Sequence, residues 1–120
     1  MTIEAKAWRI FSRYIRKSSA NEFGFCTCVT CGQVKEWKKM DAGHFIDRQF
    51  KSVMYDERNV HPQCKICNRS KNGMPDQYRV FMKIKYGQSV IEELETRAAS
   101  IWAGSHEQIY NEYKEKFKQL

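Results

Sequence analysis

No run of apolar residues in this chain approaches the roughly 20 needed to cross a bilayer as a helix. The N-terminal stretch MTIEAKAWRIF lacks a basic leader, a continuous apolar core and a small-residue cleavage site. No secretion signal is therefore expected, and the expected location is the cytoplasm. There is no proline-rich linker, internal repeat or low-complexity stretch. The 120 residues are expected to form a single domain, 1–120. A chain of this length buries only a modest core, so a metal staple would matter. Negative charge is scarce as well: 14 Asp and Glu stand against 21 Lys and Arg, a net charge of +7. With four thiolates and one divalent zinc included, the balance falls only to +5. A basic chain favours a polyanionic partner, though many basic proteins never touch nucleic acid.

Cysteine is present in an odd number, five. In a chain without a leader, disulfides are poorly favoured and metal binding is the better default. Cys28-Val-Thr-Cys31 and Cys64-Lys-Ile-Cys67 are two C-x-x-C pairs. Each pair sets two thiolates on one tight turn. Two pairs complete a tetrahedral zinc site with no open position, the pattern of a structural metal. The spacer from 32 to 63 is long and must carry structure of its own. A pair of redox dithiols is the alternative, but no thioredoxin-like βαβ pattern surrounds them. Cys26 sits just before the first pair and either remains a buried free thiol or replaces Cys28.

Apolar residues at Ile3, Ala7, Ile10, Phe11 and Tyr14 keep helical spacing and predict an amphipathic helix over 3–18. Its other faces carry Arg9, Arg13, Arg16 and Lys17. These form either a solvated face or one that meets DNA phosphates. From Phe25 to Arg48 the pattern predicts a knuckle, a short hairpin and a strand ending near Phe45-Ile46. From Val60 to Gly73 it predicts a tight loop, a second knuckle and a helix start. Pro75 opens a further helix, which Gly87 stops. Ser89-Val-Ile-Glu92 and Ser105-His-Glu-Gln108 fit capping boxes for helices over roughly 90–103 and 106–119. Ile109, Tyr110, Tyr113 and Phe117 stripe the last helix for core packing or a dimer surface. The expected fold is α+β and mainly helical: an N-terminal helix 3–18, a zinc-braced core 25–73 and C-terminal helices 74–120.

Between the cysteine pairs lies Asp41-Ala-Gly-His44, followed by Asn59-Val-His-Pro-Gln-Cys64-Lys-Ile-Cys67-Asn68-Arg-Ser-Lys71. This order resembles the HNH, or ββα-metal, nucleases. The resemblance implies that His44 activates water, that Asn59 holds a loop and that Asn68 binds a divalent cation. Asn68 directly follows the second pair, as in zinc-braced members of the endonuclease VII type. The chemistry suits the match. Histidine titrates near neutral pH and serves as a general base. A bound cation offsets the charge that gathers on a phosphodiester under attack. Mg²⁺ or Mn²⁺ would take oxygens from Asp41 and Asn68. Many HNH enzymes carry a ligand directly before the base, whereas here that position is Gly43. Asp41 then needs a turn or bulge to reach the cation. An ungapped match to the Asp-His-x-His pattern of endonuclease VII instead makes His44 a metal ligand.

The runs FSRYIRK, CVTCGQ, MDAGHFIDR, ERNVHPQCKICN and YRVFMKIKYG are similar to the NinG/Rap recombination proteins of lambdoid phages, over residues 8 to 95. That resemblance implies an endonuclease acting on branched DNA such as Holliday junctions and D-loops. Arg48, Lys51, Lys65, Arg69 and Lys71 flank the motif as phosphate contacts or as ordinary solvated charge. Lys71 is placed to steady the scissile phosphate. His61 reads as a phosphate contact or a packing residue, Asn72 as a second ligand, and Asp47 as a weaker one. Trp37 and Phe45 suit the core better than they suit base wedges. Two competing readings remain: a non-catalytic zinc-knuckle DNA-binding module and a zinc-braced protein-interaction domain. The helices at both ends offer surfaces for a homodimer, since cutting a branch takes two incisions.

Overall fold

The first helix follows directly from its cap and its stripe. In the computed structural model, which describes residues 1–120, α1 spans Ile3–Ser18. Thr2 Oγ1 accepts the Ala5 N–H at 3.1 Å, and Glu4 and the pair Arg16, Lys17 complement the two ends of the helix dipole. Ala7, Phe11 and Ile15, spaced four apart, are the residues it buries.

Two short hairpins follow. β1 (Phe25–Thr27) pairs antiparallel with β2 (Val34–Glu36), and the first cysteine pair sits in the turn between them. β3 (Asp41–His44) pairs antiparallel with β4 (Val60–Gln63), so that Asp41 faces Gln63 and His44 faces Val60. The strand expected to reach Ile46 stops at His44. The reason is Asn59, whose Oδ1 accepts the Ile46 N–H at 2.8 Å and so replaces the next rung of the ladder. The loop between β3 and β4 holds the one-turn helix α2 (Lys51–Met54).

Beyond β4 the expected helix start is a single π turn, Ile66–Ser70, closed by the Lys71 N–H to Ile66 O bond. It does not continue. Asn72, Gly73 and Met74 all take positive φ (53°, 85° and 52°) and reverse the chain. This reversal lets Met74 pack on the cysteines and lets the Gly73 carbonyl accept from buried Gln63. Asn72 therefore does not share a helical face with Asn68.

Three longer helices complete the chain: α3 (Pro75–Lys85), α4 (Gln88–Ala98) and α5 (His106–Lys118). Ser105 caps α5 as expected, accepting the Gln108 N–H at 3.1 Å. Ser89 does not cap α4. Gly87, at φ 92°, both ends α3 and begins α4, which leaves no separate cap position. Helix α4 also ends sooner than the expected 103. The Arg97 carbonyl accepts the hydroxyls of Ser52 and Ser100, which caps the helix there.

Helices α1 and α5 pack together through aromatic edges. Phe11 meets Tyr113 at 4.8 Å between centroids and 86°, and Tyr14 meets it at 5.2 Å. The apolar stripe of α5 is thus core against α1. Phe11 is fully buried, which is worth about 2–3 kcal/mol. A second cluster, Val53, Tyr78, Met82, Ile91 and Leu94, joins α2 to α3 and α4. The third consists of Met40 and four of the five cysteines. The fold is α+β and mainly helical, with no helix long and apolar enough to cross a membrane.

Candidate functional site

The two cysteine turns meet. The Sγ atoms of Cys28, Cys31, Cys64 and Cys67 all lie within 4.8 Å of one another. Cys31 Sγ and Cys64 Sγ are 3.7 Å apart. A tetrahedral zinc with bonds of about 2.3 Å sets its sulfur edges near 3.8 Å, so the cluster fits the ion. Hydrogen bonds prepare two of the sulfurs. The Cys67 N–H donates to Cys64 Sγ at 3.4 Å, and Cys28 Sγ lies 3.3 Å from the Thr30 hydroxyl. Burial pushes the Cys28 thiol up, but the Thr30 hydroxyl and nearby backbone N–H groups outweigh it and bring it down to about 6. Cys31 moves the other way. The Gln33 backbone favours its thiolate, yet burial and the three neighbouring sulfurs push it up to about 12. Four crowded thiolates repel one another, and a divalent cation at their centre removes that conflict. Cys26 lies outside the cluster. It is buried on β1, and that burial raises its thiol.

A cleft of about 670 Å³ opens beside the cluster. Asp41 and His44 from β3 line it, with Asn68 from the π turn and Arg48 from the following loop. Lys65 and Arg69 stand at the same wall. Asp47 and Asn72 also reach it. Lys51 and Lys71 are exposed but do not line it. The register of β3 with β4 is unbroken from Asp41 to His44, so both residues line the cleft without a bulge between them.

The His44 ring is fixed on two sides. Nε2–H donates to the Met54 carbonyl at 3.1 Å, and the ring stacks on Trp8 at 4.9 Å and 25°. Because the carbonyl can only accept, the neutral ring carries its proton on Nε2 and presents a lone pair at Nδ1. Burial lowers its pKa to about 4 against the small opposing effect of the Met54 bond, with Arg48 adding to the drop. The ring is therefore neutral at neutral pH.

Asp41 is engaged from two directions. Arg69 Nε and Nη2 donate to its two oxygens at 2.9 and 3.0 Å, a bidentate pair. Asn68 Nδ2 donates to Oδ2 at 3.0 Å, which leaves the Asn68 amide oxygen unengaged by Asp41. Arg69, expected as a phosphate contact, holds the carboxylate expected as a ligand.

Asn59 lies behind the cleft, fully buried. Its Nδ2 donates to Ile46 O and Val53 O at 3.0 and 3.1 Å, pinning the loop that carries Arg48. His61 is also buried. Tyr86 O–H donates to Nε2 at 2.8 Å, Nδ1–H donates to Tyr78 Oη at 2.9 Å, and Tyr78 O–H donates to Gly43 O at 2.7 Å. The chain of donors ends on the residue before His44, so His61 braces β3 and does not line this cleft. Gly43 itself admits no side chain: a Cβ there would stand 1.8 Å from Gln63 Oε1. The position before His44 is closed by packing.

Sequence reasoning missed Trp8, Ser12 and Lys38, which also line the cleft. Trp8 sits between the buried Ala7 and the cleft, and nothing in its spacing announced a histidine partner.

The family described as "Bacteriophage Lambda NinG protein" matches residues 2–120. The chain is 32% identical over 96 residues to Protein ninG of Escherichia phage lambda, covering 78% of this chain and 47% of that one. Protein ninG of Salmonella phage P22 is likewise 32% identical over 96 residues, with the same coverage. Protein ninG of Escherichia phage 933W is 36% identical over 70 residues, 58% of this chain and 34% of that one. The chain thus spans between a third and a half of the length of these relatives. No solved structure matches it. With the family matched from end to end of its cysteine cluster and its cleft, the chain belongs to the NinG family of lambdoid phages.

Proposed function

We propose that the cleft is the hydrolytic site of an HNH-type endonuclease that cuts phosphodiester bonds in branched DNA. One observation carries this reading. Asp41, His44 and Asn68 converge on a single cleft, on two antiparallel strands followed by a helical turn, with Arg48 and Lys65 around them. Binding alone has no use for a neutral histidine held with one lone pair directed away from its anchor. The branched substrate follows from the family resemblance, with Holliday junctions and D-loops as its forms.

In this scheme His44 is the general base. Its Nδ1 takes a proton from the attacking water, while the Met54 carbonyl holds Nε2–H and steadies the resulting imidazolium. Asn68 through its amide oxygen and Asp41 through its carboxylate would hold Mg²⁺ or Mn²⁺. The cation, when bound, offsets negative charge developing on the phosphate. Arg48, Lys65 and Arg69 contact the phosphate backbone, with Lys51 and Lys71 outside the cleft on flanking DNA. Asn59 keeps the loop of Arg48 in register. Zinc on the four cysteines fixes the turn from which Asn68 projects, and takes no part in the reaction.

A non-catalytic DNA-binding module has one observation in its favour: Asp41 is already occupied by Arg69 and Asn68. The two readings separate on one experiment. Zinc-loaded protein is incubated with a labelled four-way junction, with Mg²⁺, with Mn²⁺ and with no divalent ion added. The nuclease reading expects cleavage only with a divalent ion. Binding without cleavage under either metal overturns it in favour of the module.

A further inference from the structure

Helix α1 carries Arg9, Arg13 and Arg16 at spacings of four and three, so all three lie on one face. That face forms a second groove of about 380 Å³ with Trp37 and Lys38. Arg16 and Lys38 line both this groove and the cleft, so the two are continuous. The groove's lining contains no acidic residue. Arg58, Arg69, Arg79, Arg97 and Lys116 are all ion-paired, whereas none of the four groove cations has a carboxylate partner. Arg13 stacks over Phe117 at 5.1 Å and over Trp37 at 5.8 Å. Its Nε is buried and has no hydrogen-bond acceptor. A buried charged donor without an acceptor is costly, and here the aromatic rings hold it in place regardless. Arg16 also lies over Trp37, 5.5 Å from its ring centroid, and donates to the Trp37 and Met40 carbonyls.

From these observations we infer that the α1 groove is a second binding surface, which takes the phosphate backbone of a duplex arm leaving the cleft. Arg9 to Arg16 covers about 10 Å of helix at 1.5 Å per residue. At roughly 3.4 Å of rise per nucleotide, that is about three consecutive phosphates on one strand. Arg13 supplies the central contact and Arg9 the outermost. In this role the groove reads charge and spacing alone, since phosphate contacts carry no sequence information directly. The partner class rests on the nuclease reading, but the groove is tested by binding alone.

The experiment measures affinity for a fluorescent duplex of about 25 base pairs across a salt series, in Ca²⁺, with zinc-loaded protein. It compares wild type, the groove variant Arg9→Glu/Lys38→Glu, the single variant Arg9→Glu, which lies outside the cleft and should by itself lower the salt slope by about one, and a control of equal charge to the double variant, Lys83→Glu/Lys85→Glu on α3. Arg9, Lys38, Lys83 and Lys85 are all exposed, so folding should survive, and unchanged melting temperatures check it. The groove variant is expected to bind at least tenfold more weakly at 0.1 M salt. Its salt slope should fall by about two, since each lost phosphate contact removes about 0.9. The control should lose less than threefold. Equal losses in both double variants, an unchanged slope, or no duplex binding by wild type would each overturn the groove. Cleavage by a protein indifferent to Arg9→Glu/Lys38→Glu would sink the groove and spare the nuclease. Groove-dependent binding without cleavage would do the reverse.

Discussion

The turn from Cys64 to Asn68 sends side chains into two neighbouring places. Cys67 turns into a cluster of four sulfurs from one chain, three of them buried. Asn68 turns into an open cleft, which it lines together with two carboxylates, one imidazole and several arginines and lysines. The cluster offers a metal four like ligands and no vacant position. In the proposed scheme the cleft would offer a cation oxygens from Asp41 and Asn68 and leave the rest of the coordination shell to phosphate and water. A closed set holds structure, and an incomplete set leaves room for a substrate. In the proposed scheme their adjacency lets the closed one position the open one.

The largest expected effect breaks the cluster. Cys64→Ser removes one thiolate and also the sulfur that accepts the Cys67 N–H. Structural zinc contributes on the order of 10 kcal/mol to folding in small domains, so the variant should bind less than one zinc per chain and lose its cooperative melt. Cys26→Ser, outside the cluster, should keep one zinc and melt within a few degrees of wild type. Equal melting of Cys64→Ser and wild type would refute the structural role of the metal.

Next in size is the cleft's own test. His44→Ala should lower junction cleavage by about 10²–10⁴-fold, the usual contribution of a general base. Zinc content, melting temperature and junction affinity should stay near wild type, because the ring is not part of the cluster. If His44→Ala loses zinc or unfolds, the two regions are not separable and His44 belongs to the frame. If activity falls while Mn²⁺ binding falls in step, His44 is a ligand.

What could be read in advance divides along the same line. Two C-x-x-C pairs announce a closed site by spacing alone, because sulfurs on tight turns have little freedom in where they point. Ser105 announces a helix start for the same reason, through a local bond. The cleft depends on contacts between residues far apart in the chain. Trp8 finds His44 across 36 positions, and Arg69 finds Asp41 across 28. Local pattern carries no information on such pairs, so Arg69 was expected on phosphate and Trp8 was not expected at all. The π turn and the left-handed run at 72–74 have a similar origin. They serve Gln63 and the packing of Met74, which lie outside the segment itself.

A smaller effect concerns acid. Burial, with Lys85 adding to it, lowers the His61 pKa to about 3, while in the unfolded chain it titrates near 6.5. Below pH 6.5 the unfolded state therefore binds a proton that the folded state refuses. Stability is full above pH 7 and is lost as pH falls through 6.5 towards 4. At pH 4.5 the loss from His61 is about 2–3 kcal/mol. Thiolates also protonate in acid, so the measurement is a difference. His61→Gln keeps one donor and one acceptor for Tyr78 and Tyr86 but cannot titrate. Its urea midpoint should fall less steeply with pH than that of wild type. Parallel curves would show that the acid sensitivity lies elsewhere, in buried His44 or in the cysteine cluster.

The smallest effect bears on how incomplete the cleft is. Arg69 places two N–H groups on the two oxygens of Asp41, so a cation must compete with a guanidinium for that carboxylate. The pair is largely exposed on the arginine side, and exposed pairs are weak. Arg69→Ala should therefore tighten Mn²⁺ binding to zinc-loaded protein by about two- to fivefold, as read by titration calorimetry. It should also weaken DNA binding in the presence of the metal and lower the salt slope by about one, because the displaced arginine is then free to meet phosphate. The opposite signs make the test decisive. If Arg69 only orients Asp41, its removal weakens Mn²⁺ binding and leaves the DNA slope unchanged. The cleft would then be as preassembled as the cysteine cluster, and the distinction between a closed frame and an open site would rest on ligand count alone.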